Sequence, residues 1–325
     1  MTFAATAPYA LIIVGCVLLY YGAEWLVGSS AKLAVRFGVT PFIVGVTIVG
    51  FGTSAPEFVV SVQATLAGSG DIAVGNVLGS NIFNTAVVLG LSALICPILI
   101  NRQFFRFDIP ALIIASLITW YFLTDGVVQI WEGIVLITVF VGYMTYSVIN
   151  SKKDGGGDRV NDGDDDDDRA EGKNVSIPKN ALLVIMGLAL LVGGAHLLVI
   201  GAVDLARSWG VSEAIIGLTI IAFGTSLPEV AASAVAAFKK HSDIAIGNVV
   251  GSNMFNILLI LGTVGAMGPT EAYGIATRDL LFMVGINFML FIPLFAKSIL
   301  NRPVGAAFIG VYAAYIFLIV RTAGA

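Results

Sequence analysis

Two carboxylates stand where a bilayer-spanning chain has least reason to keep them. Glu57 ends the run Gly52-Thr53-Ser54-Ala55-Pro56-Glu57, and Glu229 ends Gly224-Thr225-Ser226-Leu227-Pro228-Glu229, 172 residues later. Each lies in a long apolar stretch beside a proline. An ionised carboxylate at the bilayer centre costs roughly 2.5–3.5 kcal/mol on insertion scales, so it needs a positive partner. No lysine or arginine lies at comparable depth in any apolar run, and His196 could serve one site at most. A bound metal cation is the simplest partner. Pro56 has no N–H, so the carbonyl of Gly52 loses its helical donor, and Pro228 does the same to Gly224. Freed carbonyls are tolerated at membrane depth only where they line a polar cavity. Thr53, Ser54, Thr225 and Ser226 add hydroxyls on the same turn, where back-bonding to the helix is the competing use.

A second motif follows each of these. It reads Gly75-Asn76-Val77-Leu78-Gly79-Ser80-Asn81-Ile82-Phe83-Asn84, and then Gly247-Asn248-Val249-Val250-Gly251-Ser252-Asn253-Met254-Phe255-Asn256. Ser80 and Asn84 are four apart and share a helix face, as do Ser252 and Asn256. Gly75, Gly79, Gly247 and Gly251 have the spacing of close helix contacts, which brings this face against the Pro-Glu break. The combined donor set is carboxylate, hydroxyl, amide and carbonyl oxygen. Hard cations such as Ca²⁺ and Na⁺ take that set, whereas zinc or copper would want His or Cys. Cys16 and Cys96 lie in apolar runs and read as buried small hydrophobes. Asp71 and Asp243 read as helix N-caps, and Asp108 and Asp279 as interfacial caps near Arg106 and Arg278. Glu24 and His196 occupy corresponding positions, where interhelical packing or hydrogen bonding is expected.

The elements that position these groups are long apolar helices. Of 325 residues 58% are hydrophobic and only 12% charged, with a mean hydropathy of +0.94. Apolar runs of about 20 residues recur, which fits a polytopic helical membrane protein and neither a soluble domain nor a barrel of short alternating strands. The expected fold is all-α and multi-pass, with ten spans near 9–28, 40–67, 72–96, 108–124, 128–149, 181–201, 212–238, 244–267, 279–297 and 303–320. No cleavable signal is evident at the N-terminus. Alternate loops divide the 17 basic residues into 14 and 3, which puts the basic set in the cytoplasm and both termini outside. Residues 151–178 carry nine acids and five bases and almost nothing apolar, so this linker is expected to be a disordered cytoplasmic tether. The glycine, spacing and final glutamate of a calcium-binding EF-hand loop are absent from it.

Sliding the chain by 172 residues aligns its halves without a gap. Between 43–84 and 215–256, 23 of 42 positions are identical, concentrated on Gly, Thr, Ser, Pro, Glu, Asn and Asp. Each half, 1–150 and 179–325, holds five expected spans. An odd number makes the second copy enter from the opposite side, giving two inverted five-helix repeats.

The doubled G-T-S-x-P-E and doubled G-N-V-x-G-S-N motifs resemble the alpha repeats of the calcium/cation antiporter superfamily, in particular its prokaryotic sodium/calcium exchanger branch. The resemblance covers nearly the whole chain except the linker. It implies exchange of Ca²⁺ for Na⁺ by alternating access, with no cofactor, no nucleic acid and no obligate protein partner, in the cell membrane. It implies a central Ca²⁺ site from Glu57 and Glu229 with the carbonyls of Thr53 and Thr225. Flanking Na⁺ sites would use Ser54, Ser80, Ser226 and Ser252 with the carbonyls of Gly50 and Ala222, and Asn84 would complete the middle. Many relatives carry an aspartate where this chain has Asn256. An amide still offers an oxygen but takes up no proton, so the site has two formal negative charges, which a single Ca²⁺ neutralises. Ca²⁺/H⁺ or K⁺-dependent exchange is the next reading. A cation channel is a third, and an intramembrane protease a remote fourth, because no paired membrane aspartates exist and only His196 could serve a serine.

Overall fold

Within a bilayer the backbone must satisfy its own hydrogen bonds, and this chain does so almost wholly as helix. The computed structural model describes residues 2–100, 104–154, 175–210, 222–295 and 299–323. The first half comprises α1 (Thr2–Phe37), α2 (Pro41–Thr53), α3 (Ala55–Leu66), α4 (Gly70–Ile95), α5 (Phe104–Asp125) and α6 (Ile130–Asp154). The second comprises α7 (Ile177–Ser208), α8 (Ala222–Gly224), α9 (Leu227–Phe238), α10 (Ser242–Met267), α11 (Thr277–Phe288), α12 (Ile292–Phe295) and α13 (Arg302–Ala323).

Among the described residues seven helices are long and apolar enough to cross a membrane, or eight if α2 and α3, bent by 46° at their junction, count as one. The chain is therefore all-α and multi-pass. Besides this bent second span, two expected spans do not appear as single long helices. The seventh begins in 211–221, outside the described residues, and continues as α8 and α9. The ninth gives way after α11 to a tight turn at Met289–Phe291. The acidic stretch 155–174 also lies outside the described residues. α1 and α7 run beyond their expected limits because an apolar window stops at the membrane edge and a helix need not.

Glycine permits close helix contacts. α1 and α7 pack antiparallel: a Cβ on Gly22 would lie 2.8 Å from the Gly187 carbonyl oxygen, and one on Gly15 2.7 Å from that of Gly194. α2 lies against α10 of the other half: a Cβ on Gly247 would be 2.5 Å from the Phe42 carbonyl oxygen, and one on Gly251 2.4 Å from that of Val46. That is the close approach expected of Gly247 and Gly251. The segment that would correspond for Gly75 and Gly79 falls largely in 211–221.

Short strands tie the halves at both ends. β1 (Ile98–Leu99) pairs antiparallel with β4 (Ile299–Leu300), and β2 (Val127–Val128) with β3 (Thr270–Glu271). Contacts also repeat between halves. Tyr143 donates to Asp108 and Tyr315 to Asp279, each at 3.0 Å. The tyrosines are 172 apart and the aspartates 171. A π-helical turn at Phe104–Asp108 shifts the register by one at the aspartate, and the second half has the longer Asp-to-Tyr spacing, 36 against 35, which restores it.

Candidate functional site

The site is built where α2 stops and α3 starts. Ser54 leaves helical geometry (φ −82, ψ 4) between them, and Ser226 does the same (φ −90, ψ 5) before α9. Pro56 and Pro228 are thus each the second residue of a new helix, where a missing N–H costs nothing, rather than helix-interior residues. Glu57 and Glu229 follow in the same first turns. The break brings the carbonyl-rich end of one helix to the amide-rich start of the next, so it offers ligands to cations and favours carboxylates.

Each carboxylate is 0% exposed and is held by the opposite half. Ser54 Oγ donates to Glu229 Oε1 at 3.1 Å, and Ser226 Oγ to Glu57 Oε1 at 3.0 Å. Ser252 Oγ donates to the Gly50 carbonyl at 3.3 Å and is 3.5 Å from Glu229 Oε1. Ser80 Oγ is 3.5 Å from Ser226 Oγ. Thr53 Oγ1 does back-bond, to the Val49 carbonyl at 3.0 Å. Ala222 opens α8, and its side chain lies outside the described residues.

What remains unbonded is as telling. Glu57 Oε2, Glu229 Oε2, Thr225 Oγ1 and both amide atoms of Asn84 and of Asn256 are buried without a hydrogen-bond partner among the described residues. Buried polar atoms are rarely left so, because each costs about 1–3 kcal/mol. The orphans are predominantly oxygens, and among the described residues no basic group is bonded to either carboxylate, a donor set suited to Ca²⁺ or Na⁺. Among the described residues there is no cluster of three or more His, Cys, Asp or Glu of the sort a resident transition metal takes.

Several neighbouring residues act otherwise than their spacing suggested. Asp71 is not an N-cap: its Oδ1 accepts from the Gly274 N–H at 2.8 Å and ties α4 to the loop before α11. Asp108 makes no capping bond and is buried against Tyr143. Asp279 pairs with Tyr315 and lies 3.6 Å from Arg278. Glu24 does make the expected hydrogen bond to another helix, an ion pair with Lys239 at the end of α9 at 2.9 Å, whereas His196 is exposed. Cys16 is exposed and Cys96 half-buried, both free, so neither is the fully buried small hydrophobe expected.

Two groups of polar residues went unassigned in the sequence. Asn76 donates to Ser61 Oγ at 2.9 Å and to the Glu57 carbonyl at 3.2 Å; Asn248 donates to Ser233 Oγ at 2.8 Å and to the Glu229 carbonyl at 3.4 Å. All of these are identical under the 172-residue shift, which was the available signal. The second group is a buried chain in which Asn253 donates to Thr85, Thr85 to Asn287 and Asn287 to Ser116. Asn253 matches Asn81, and Ser116 corresponds to Asn287 in the 171-residue register of α5 and α11, but Ile257 stands where Thr85 does, so the repeat did not mark the chain as a unit.

Discontinuous helices that meet across two repeated halves around buried, uncompensated carboxylates define a membrane transporter of the secondary class. The sodium/calcium exchanger protein family model matches residues 7–149 and again residues 179–321, and the chain belongs to that family. It is 38% identical over 287 residues to the putative antiporter CaxA of Alkalimonas amylolytica, covering 86% of this chain and 87% of that one. It is 27% identical over 351 residues to the sodium/calcium exchanger MaX1 of Methanosarcina acetivorans, covering 97% and 99%. A structure of the sodium-calcium exchanger NCX_Mj, soaked with 10 mM Na⁺ and zero Ca²⁺, superposes with a TM-score of 0.81 and 31% identity over 95% of this chain and 98% of that one. The chain is thus a membrane cation antiporter of the Ca²⁺-exchanging family.

Proposed function

We propose that this protein exchanges Ca²⁺ for Na⁺ across the cell membrane by alternating access, the two cation sets occupying the same oxygens in turn. Glu57 and Glu229, with the carbonyls of Thr53 and Thr225, hold Ca²⁺. Ser54, Ser80, Ser226 and Ser252, with the carbonyls of Gly50 and Ala222, hold Na⁺ beside it, and Asn84 and Asn256 face the middle. Residues 1–150 and 179–325 act as inverted repeats joined by a cytoplasmic linker, and α1 with α7 slides against the rest. One observation carries the reading: each buried carboxylate has one oxygen bonded to the opposite half's serine and one with no partner among the described residues. A cation between them would be chelated by both halves at once. The names of MaX1 and NCX_Mj support Na⁺ as the coupling ion.

The test is radiocalcium uptake into liposomes loaded with Na⁺, H⁺ or K⁺ as the only counter-ion. Uptake should require internal Na⁺, saturate, and vanish in Glu57→Gln and in Glu229→Gln. Near-normal uptake in either variant would remove the site. Uptake driven by a proton gradient alone would replace Na⁺ with H⁺, and ohmic single-channel current would replace exchange with a pore.

A further inference from the structure

Asn248 on α10 and Asn76 on α4 stand one helical turn before Ser252 and Ser80, and the ligand assignment uses neither. Asn248 is 1% exposed and has bonds to both its amide nitrogen and its amide oxygen. Its nitrogen reaches two points on α9: Ser233 Oγ, at 2.8 Å, and the carbonyl of Glu229 itself, at 3.4 Å. Two attachments one turn apart fix both the height and the rotation of that helix edge against α10, which carries Ser252 and Asn256. Asn76 repeats the clasp on α3, with Ser61 Oγ at 2.9 Å and the carbonyl of Glu57 at 3.2 Å.

Asn248 goes one step further. Its Oδ1 accepts from Thr53 Oγ1 at 3.1 Å, across the boundary between the halves. A hydroxyl has one proton to give. Thr53 Oγ1 also lies 3.0 Å from the Val49 carbonyl and 3.4 Å from that of Gly50. A proton directed to Asn248 is withheld from both carbonyls, and the Gly50 carbonyl still accepts from Ser252 Oγ at 3.3 Å. The corresponding hydroxyl, Thr225 Oγ1, makes no hydrogen bond among the described residues, so this link exists on one side of the site.

We propose that Asn76 and Asn248 are positioning residues of the exchange site, each clasping the turn that bears its own half's carboxylate, and that Asn248 also couples the halves through Thr53. The inference rests on the cation-binding role proposed for Glu57 and Glu229. Its test is equilibrium ⁴⁵Ca²⁺ binding to the purified full chain, with thermal unfolding in the absence of Ca²⁺ measured alongside. Asn248→Ala should weaken Ca²⁺ binding about tenfold and Asn76→Ala about threefold, the scale of a few lost hydrogen bonds. Thr53→Val keeps the carbonyl and the branched shape and removes the hydroxyl; it should weaken binding about threefold. The double variant N248A/T53V should be no weaker than N248A, because the shared bond can be lost only once.

Wild-type affinity in N248A, effects of N248A and T53V that multiply, or affinity losses that merely track a falling unfolding temperature would each overturn the proposal. If N248A does not fold, Ser233→Ala and Thr53→Val remove its partners one at a time, and unchanged Ca²⁺ affinity in both overturns it equally. Wild-type protein that binds Ca²⁺ but does not exchange it for Na⁺ would sink the proposed function while leaving this inference readable from the affinities. Wild-type protein that binds no Ca²⁺ would remove both.

Discussion

At the scale of the residue, Ser54 and Ser226 are the groups through which each half acts on the other's carboxylate. Each donates its hydroxyl to the glutamate oxygen of the opposite half, at 3.1 and 3.0 Å. Hydrogen bonds to a charged acceptor contribute about 1.5–3 kcal/mol in a buried setting. Ser54→Ala and Ser226→Ala should therefore each raise the Ca²⁺ concentration for half-maximal uptake about tenfold. The two variants should behave alike because the two bonds are alike, and a titration of initial uptake rate would check it. A strong effect at Ser54 with none at Ser226 would show that only one half's carboxylate takes part. The candidate residues themselves were legible, since a doubled Ser beside Pro-Glu in an apolar run has little other use. That each serine reaches the other half was not legible, because a 172-residue repeat gives correspondence and not proximity. Thr53 shows the same limit. Its back-bond to Val49 and its bond to Asn248 are both compatible with the sequence, and only packing brings the second within 3.1 Å.

At the scale of the element, close contact between α2 and α10 is what lets Ser54 and Ser252 share one site. Gly251 makes that contact possible. A Cβ there would meet the Val46 carbonyl oxygen at 2.4 Å and the Val46 Cα at 2.6 Å, both backbone atoms with no rotamer to yield. Gly251→Ala should lower the unfolding temperature by several degrees, the shift that about 1–3 kcal/mol of overpacking produces in a chain of this size. Gly142 on α6 meets nothing within 4 Å at its Cβ position. Gly142→Ala should therefore leave stability equal or improved, by about 1 kcal/mol at most. Thermal unfolding of the two variants side by side separates a packing effect from a general intolerance of alanine. Helix breaks at Pro56 and Pro228 were visible in the sequence, although the prolines open new helices rather than kinking old ones. The π-turn at Phe104–Asp108 was not visible. Nothing in Phe104-Phe105-Arg106-Phe107-Asp108 marks it.

At the scale of the whole molecule, the two strand pairs mark its two ends, and their flanking charges differ. In the sequence Arg102 and Arg106 follow β1 and Lys297 and Arg302 flank β4, whereas Asp125, Glu132, Glu271 and Arg278 stand in or beside β2 and β3. The sequence offered the charge bias but not the pairing of loops from opposite halves, since two-residue strands have no sequence pattern to detect. Basic residues remain on the cytoplasmic side, so the β1/β4 end should face inward and the β2/β3 end outward. Leu99 and Tyr273 sit at these opposite ends and are 64% and 68% exposed, which makes them usable reporters. With Cys16 and Cys96 replaced by alanine, a cysteine at Tyr273→Cys should react with a membrane-impermeant maleimide on intact cells. One at Leu99→Cys should react only after permeabilisation. The reverse pattern would turn the molecule over and put the 151–178 linker outside. Reaction of both on intact cells would place the two strand pairs on one side of the membrane and overturn the proposed inverted arrangement of the halves.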